Sequence, residues 1–139
     1  MGNFRDIVEF KCDIAFTLGE QSENRVSATM PVGPGMVNPF GTVHAGAMIW
    51  FADIVATRLA RVALATSGEL NTFPLAINIQ AAVLSNQRDG DLVAEARFVR
   101  KGKRVSVIRT AVTGTGGKLL LDLTTTHVPS GAAEVGRGP

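Results

Sequence analysis

The sequence predicts an α+β domain in which one long apolar helix packs against about six antiparallel strands, in the order β-β-α-β-β-β-β. Three observations predict this architecture. Six segments read as strands, most of them because apolar and polar residues alternate with a period of two. One long segment is apolar around most of its circumference, as in a helix that other elements surround. The 139 residues contain no internal repeat or linker, which predicts a single domain over residues 1–139.

Two strands and a loop are predicted before the helix. The first strand covers about residues 10–18, and the polar residues 19–24 are expected to turn the chain. In the second strand, residues 25–30, every second residue is apolar. Residues 31–41 contain three prolines and three glycines, which indicates a long shaped loop.

The helix is predicted to begin after this loop, with Gly41 or Thr42 as its cap. It is expected to run to about Thr66, because Gly68 is a natural stop just past that residue. Four strands should follow, with short turns at residues 101–103 and 116–117. These strands are predicted over residues 75–83, 91–100, 104–113 and 119–128, with a Gly- and Ala-rich tail from residue 129 that is expected to fray.

Composition excludes several classes of function. A net charge of +2 is too small to indicate a nucleic-acid-binding surface. The single cysteine, Cys12, excludes an internal disulfide and a cysteine-rich metal site. The longest apolar run contains Asp53, Arg58 and Arg61, so no membrane span is expected. The polar amino terminus lacks the plan of a secretory signal, and the protein is expected to be cytoplasmic.

The strongest chemical signal is Asp53, a carboxylate in the middle of the apolar helix. Thr57 follows one helical turn later on the same face, so its hydroxyl and the Asp53 carboxylate can share one water or substrate atom. Arg58 and Arg61 are expected to point elsewhere, which leaves Asp53 without a basic partner on its own helix.

The start of the helix supplies a second chemical group. The free backbone N–H groups of Ala45 and Gly46 suit a developing oxyanion. His44, at this end, lies roughly 13 Å from Asp53 along the axis, at about 1.5 Å for each residue. One subunit therefore cannot bring both groups to one bond, and a catalytic set would have to form across a two-fold dimer interface.

Structural interpretations remain open for each of these residues. Asp53 can be an interface acid that pairs with another subunit, and His44 can serve only to cap the helix and orient the loop. Asn38 can belong to a simple turn. His127, near the end of the last predicted strand, is taken as incidental.

A second cluster is basic and lies at the predicted hairpin turn between two strands. It either provides solubility or offers several positive charges to phosphate groups. Its members are Arg100, Lys101, Lys103 and Arg104.

The segment around the helix start resembles the hotdog-fold acyl-CoA thioesterases, in the branch of the phenylacetate-pathway thioesterases and the Arthrobacter-type 4-hydroxybenzoyl-CoA thioesterase. The family pattern places Asn or Gln six residues before His-Gly-Gly, and Asp or Glu nine residues after that histidine. Asn38, His44 and Asp53 match this spacing, and Thr57 matches a threonine present in some members. Ala45 departs from the pattern, because it replaces the first glycine.

The resemblance implies a helix wrapped by a curved antiparallel sheet, with active sites at a dimer interface and dimers that pair into tetramers. Asp53 would be the nucleophile or the general base, and Thr57 would help to place the water. The Ala45 N–H, with Gly46 beside it, would polarise the thioester carbonyl, and Asn38 would orient the thioester or the water. The implied substrate is an acyl-CoA or aroyl-CoA, with no metal and no further cofactor.

Two other functions on the same fold stay open. One is an acyl-thioester dehydratase or hydratase, although the spacing of His44 and Asp53 does not suit the usual motifs of these enzymes. The other is an acyl-CoA-binding protein without catalysis, which Ala45 keeps possible.

Overall fold

The structure, a computed structural model, describes residues 14–68 and 72–131, and it confirms the predicted order of one helix and six strands. Two short 3-10 turns, Pro34–Met36 and Thr115–Gly117, complete it. The elements are β1 (Thr17–Gln21), β2 (Arg25–Pro31), α1 (Ala45–Thr66), β3 (Thr72–Val83), β4 (Asp91–Arg100), β5 (Ser106–Thr113) and β6 (Leu119–Gly131).

The strands form one antiparallel sheet in the order β1-β2-β4-β5-β6-β3. Consecutive strands pair directly from β4 to β6, whereas β3 joins the sheet only through the last strand. β1 and β3 are therefore the two edge strands, and β6 lies between β5 and β3.

The core lies between α1 and one face of this sheet, as the alternation in the strands predicts. α1 contacts β2, β3, β4, β5 and β6. Small residues lie on both sides of the contact, including Ala52 and Ala56 on the helix and Ala28, Ala94 and Ala96 on the sheet, so the helix can lie close to the strands. Larger buried side chains such as Phe51, Leu59 and Leu121 fill the remaining space.

The first strand lies later than predicted. Ile14, Phe16 and Leu18 pack against the core as the alternation requires, but the strand itself runs from Thr17 to Gln21. The turn is correspondingly shorter, since only residues 22–24 separate β1 from β2. The Ser22 hydroxyl closes this turn by accepting hydrogen bonds from the N–H groups of Asn24 and Arg25. The part of the prediction that covers residues 10–13 lies outside the described residues.

The helix also begins later than its predicted cap. Its N-cap is His44, without a side-chain capping bond, rather than Gly41 or Thr42. Those two residues belong to the preceding loop, where a bridge between Val37 and Val43 closes the turn. The predicted end at Thr66 is confirmed, and Gly68 adopts the left-handed conformation (φ 82°) that favours glycine at such a stop.

Three predictions for the later strands need correction. β5 begins at Ser106 rather than 104, because residues 101–105 form the connection. β6 extends to Gly131, since residues 129–131 pair with β3 instead of fraying, and the rest of the predicted tail lies outside the described residues. β3 begins at Thr72 rather than 75, and its apolar residues are exposed in the single chain, with Ile77 61% and Ile79 46% exposed.

Candidate active site

The loop before α1 is shaped by the side chain of Asn38. Its Oδ1 accepts hydrogen bonds from the N–H groups of Phe40 (2.9 Å) and Thr42 (3.2 Å), and its Nδ2 donates to the Thr42 hydroxyl (2.8 Å). Gly41 completes the turn with φ 81°. Asn38 thus holds its own loop, which is the structural interpretation that the sequence left open.

The same loop positions the first turn of the helix. The N–H of His44 donates to the Met36 carbonyl (2.8 Å), and the first helical N–H that bonds back to His44 is that of Ala47 (3.0 Å). The preceding N–H groups, those of Ala45 and Gly46, lie at an exposed helix start. Donors at this end carry the positive end of the helix dipole, so they can stabilise negative charge on an oxygen.

Asp53 and Thr57 line one cleft between α1 and β3, as their spacing on the helix predicts. The cleft has a volume of about 590 Å³, large enough for a small organic group. Its wall is mainly apolar and includes Ile54, Leu75 and Ile79. The structure therefore brings a carboxylate and a hydroxyl together in an apolar cleft beside the edge strand.

Among residues 14–68 and 72–131, no side chain or backbone group pairs with the Asp53 carboxylate. Its Oδ1 is buried and makes no hydrogen bond within the described part of the chain. Burial raises the pKa of this carboxyl group above its ordinary value of 3.8, because removal from water disfavours the charged form. An acid of this kind is better suited to accept a proton near neutral pH than an exposed aspartate.

Arg58 and Arg61 do not point away from the cleft as predicted; both line it. Arg58 donates from Nε to the Gln21 side chain (2.7 Å), and Arg61 donates to the Thr72 carbonyl (3.2 Å). Their long side chains reach the rim of the cleft although their Cα atoms lie on another part of the helix surface. Neither forms an ion pair with Asp53 among the described residues.

His127 is the residue that sequence analysis missed. It is only 2% exposed, and its Nε2 lies 3.0 Å from the Thr57 hydroxyl. Burial lowers the pKa of His127 to about 4, so the ring is neutral at pH 7. The period of two in the last strand could have indicated that His127 is buried. The buried residues Leu121, Leu123 and Thr125 alternate along β6, and His127 is the next position in that series.

The basic hairpin lies beside a different cavity. Lys101 and Lys103 line a space of about 240 Å³ on the side of β6 and the end of α1, and His127 lines it as well. Arg100 and Arg104 are exposed and are absent from both cavity walls. Within one chain, the predicted phosphate-binding residues are thus not brought into the cleft of Asp53.

Residues 14–68 and 72–131 lack two further features. No helix there combines the length and the hydropathy that are needed to cross a membrane. The same residues contain no cluster of three or more His, Cys, Asp or Glu side chains with the arrangement of a metal site.

Comparison with known proteins adds one relative by sequence. No protein-family model matches this chain. A Pasteurella multocida protein named "Putative esterase PM0788" is 30% identical over 94 residues, which are 68% of this chain and 65% of that protein. The match thus spans less than two thirds of the relative's length.

Solved structures give a more complete match. A thioesterase of Haemophilus influenzae superposes with a TM-score of 0.76 at 22% identity, covering 84% of this chain and 78% of that protein. A hypothetical thioesterase of Streptococcus pneumoniae, solved with coenzyme A, gives a TM-score of 0.73 at 17% identity over 84% and 87% of the two chains. At these identities the likeness establishes architecture rather than activity. One long helix against a six-stranded antiparallel sheet is the arrangement that these proteins share, and this chain has the hotdog fold of such thioesterases.

Proposed function

We propose that this protein hydrolyses an acyl-CoA or aroyl-CoA thioester to the free acid and coenzyme A. The observation that carries the proposal is the unpartnered Asp53 carboxylate, which shares an apolar cleft of about 590 Å³ with the Thr57 hydroxyl. The thioesterase architecture and the coenzyme A in one structural neighbour support the same class of substrate. They leave the acyl group undefined.

Asp53 acts on the thioester by one of two routes. As a general base, it takes a proton from water while the water oxygen attacks the carbonyl carbon; the C–S bond then breaks, and the thiolate leaves with a proton as the thiol. As a nucleophile, its oxygen forms an anhydride with the acyl group and expels the thiolate, and water then cleaves the anhydride. In the general-base route the water oxygen ends in the acid product. In the nucleophile route it ends in that acid or, when water attacks the Asp53 carbonyl of the anhydride, in the Asp53 carboxylate. Thr57 helps to place the water in both routes.

The oxygen of the carbonyl gains negative charge in either route, and the helix start is the matching group. The N–H of Ala45, with that of Gly46 beside it, would polarise the carbonyl. Because the helix start lies roughly 13 Å along the axis from Asp53, these donors must come from a second copy of the chain. Asn38 would act with them through the loop that it shapes.

The open edge of the sheet supports such a second copy. Within the described residues, β3 pairs in the sheet with β6 alone, so the opposite edge of its later part, from Ile77 to Val83, can accept another strand. Its exposed side chains include the apolar Ile77, Ile79 and Val83. A homodimer would cover these residues and the adjacent cleft, because Leu75 and Ile79 line that cleft. Pairing of such dimers into tetramers is part of the same proposal.

The phosphate groups of coenzyme A would bind to the basic hairpin. Lys101 and Lys103 lie on its cavity side and Arg100 and Arg104 on its exposed side. The hairpin and the cleft of Asp53 lie at different cavities of one chain, so the assembly of subunits would have to bring them together. Four cations in one turn suit the several negative charges of the nucleotide part.

The decisive experiment compares wild type with Asp53→Asn on a panel of acyl- and aroyl-CoAs, with thiol release as the readout. We expect turnover to fall by about a hundredfold or more, because the amide neither accepts a proton nor attacks a carbonyl. Asp122→Asn is the matched control, since that carboxylate is bound to Arg109 on the sheet and lies outside the cleft.

The outcomes separate the candidate functions. Equal turnover by wild type and Asp53→Asn contradicts the assignment of Asp53. Coenzyme A binding without turnover on any substrate favours a binding protein, and hydration of an enoyl thioester favours the dehydratase class. A single turnover in ¹⁸O-water distinguishes the two routes, because only the nucleophile route leaves label in the Asp53 carboxylate after anhydride cleavage at that group.

A further inference from the structure

The hydroxyl of Thr57 is held from the side opposite to the helix by a histidine of the last strand. His127 Nε2 lies 3.0 Å from Thr57 Oγ1, and this is the hydrogen bond recorded for that hydroxyl among the described residues. The two residues are 70 positions apart in sequence, so the contact depends on the register of β6. His127 pairs with Ser106 on one side and Ala76 on the other, which fixes its place in the interior of the sheet.

The surroundings of the ring determine which nitrogen carries the proton. The other ring nitrogen, Nδ1, is buried and has no partner in the described residues. A buried N–H without an acceptor is rarer in proteins than a buried acceptor without a donor. The favoured arrangement therefore places the hydrogen on Nε2, where Thr57 Oγ1 can accept it, and leaves a lone pair on Nδ1.

This tautomer has a consequence for Thr57. If Oγ1 accepts from His127, the hydroxyl hydrogen of Thr57 is not used in that bond and remains available to the cleft. Asp53 lines the same cleft one turn earlier on the helix. A water between the two residues would receive a hydrogen bond from Thr57 and would direct one of its own hydrogens to the carboxylate.

We propose that His127 is a positioning residue, which donates Nε2–H to Thr57 and so directs the Thr57 hydroxyl toward the water beside Asp53. The inference rests on the proposed hydrolysis and adds to it a residue that touches neither the substrate nor the water. His127 acts only through Thr57. Its removal should therefore slow turnover without weakening substrate binding, and it should have no effect once Thr57 is gone.

Two conservative variants separate this role from simple packing. The amide nitrogen of His127→Gln can reach the position of Nε2, whereas the shorter His127→Asn places its amide near Nδ1 and cannot reach Thr57. We expect His127→Asn to lower kcat about tenfold with KM within about twofold, as for the loss of one hydrogen bond that acts in the transition state. His127→Gln should recover kcat to within about threefold of wild type.

Further variants test the route of the effect. In a Thr57→Val background, His127→Asn should lower kcat by less than about twofold, because the group through which it acts is absent. Thr125→Val is the control for substitution on the buried face of β6. The Thr125 hydroxyl is buried, makes no hydrogen bond within the described part of the chain and lies outside the cleft. It should leave kcat unchanged.

Nitrogen-15 NMR of the histidine rings provides a readout that packing alone would not move. The chain has two histidines, so the His127→Asn spectrum identifies the signals of His127. We expect Nε2 to be the protonated nitrogen in wild type. A dominant Nδ1–H form, or full kcat in His127→Asn, overturns the inference and leaves the proposed hydrolysis in place. Absence of thioester turnover in wild type itself overturns both.

Discussion

Gly46 is the second residue of α1, yet nothing in the described part of the chain requires a glycine there. A Cβ at this position would meet no atom within 4 Å, and the backbone does not adopt a left-handed conformation. Glycine in a helix is less favourable than alanine by up to about 1 kcal/mol. The absence of a side chain is therefore better explained by something that approaches this exposed end, such as the thioester or a second subunit.

Gly46→Ala should consequently have opposite effects on stability and activity. We expect the free energy of unfolding to rise by about 0.5 kcal/mol and kcat/KM to fall about tenfold, because the methyl group displaces the bound carbonyl. Chemical denaturation and thiol release measure the two quantities. Ala65→Gly, exposed at the other end of the helix, is the control and should lower stability without loss of activity. A Gly46→Ala protein with wild-type kcat/KM contradicts a site at the helix start.

At the scale of elements, the contact between α1 and β6 makes stability depend on pH. His127 has a pKa of about 4 in the folded chain against an ordinary value of 6.5, because it is buried. Between pH 6.5 and about pH 4 the unfolded chain binds more protons than the folded chain. The contribution of neutral His127 to the free energy of unfolding is therefore present above pH 6.5 and is lost as the pH falls through about 4. Its full size is at most about 3 kcal/mol.

The measurement is the free energy of unfolding of wild type and His127→Gln from pH 7 to pH 4. The difference between the two proteins should change in favour of His127→Gln as the pH falls, because only in wild type does unfolding expose a histidine that takes up a proton at these pH values. Asp53 titrates in both proteins and has the opposite sign, since its pKa is raised, so its contribution cancels in the difference. Parallel curves would show that His127 is not buried as described.

At the same scale, local sequence determines some parts of the structure and leaves others to the order of the strands. Alternation and spacing identify β2, β4 and the end of α1, because each depends on neighbours a few residues away. The same local rule places Asp53 and Thr57 together. The exposure of β3 and the contact of His127 with Thr57 could not be predicted, since both depend on the order of strands in the sheet. Likewise, the reach of the Arg58 side chain, rather than its helical angle, decides that it lines the cleft.

For the whole molecule, the proposed site requires Asp53 from one subunit and the helix start from another. A mixture of Asp53→Asn with Gly46→Val, a variant with a bulky helix start, tests this arrangement. Each mixed dimer would contain one site with both substitutions and one site with neither. After free exchange, half of the dimers are mixed, so activity should return to about a quarter of the wild-type value.

Thiol release measures the recovery, and mass spectrometry of the intact assembly confirms the mixed dimers and their association into tetramers. Each variant alone, taken through the same exchange procedure, is the control and should stay inactive. If mixed dimers form and activity does not return, the two groups do not serve one site across the interface. Both would then have to be assigned again within a single subunit.

The order of strands also has a consequence for synthesis on the ribosome. β3 emerges directly after the helix, but its partner within the chain is β6, the last strand to be made. Until then β1, β2, β4 and β5 can pair with their neighbours, whereas β3 has neither a sheet neighbour nor cover for residues such as Ile77. The nascent chain thus exposes an unpaired apolar strand from the synthesis of β3 until β6 follows. Extended apolar segments of this kind are the ones that are prone to aggregate before a chain has folded.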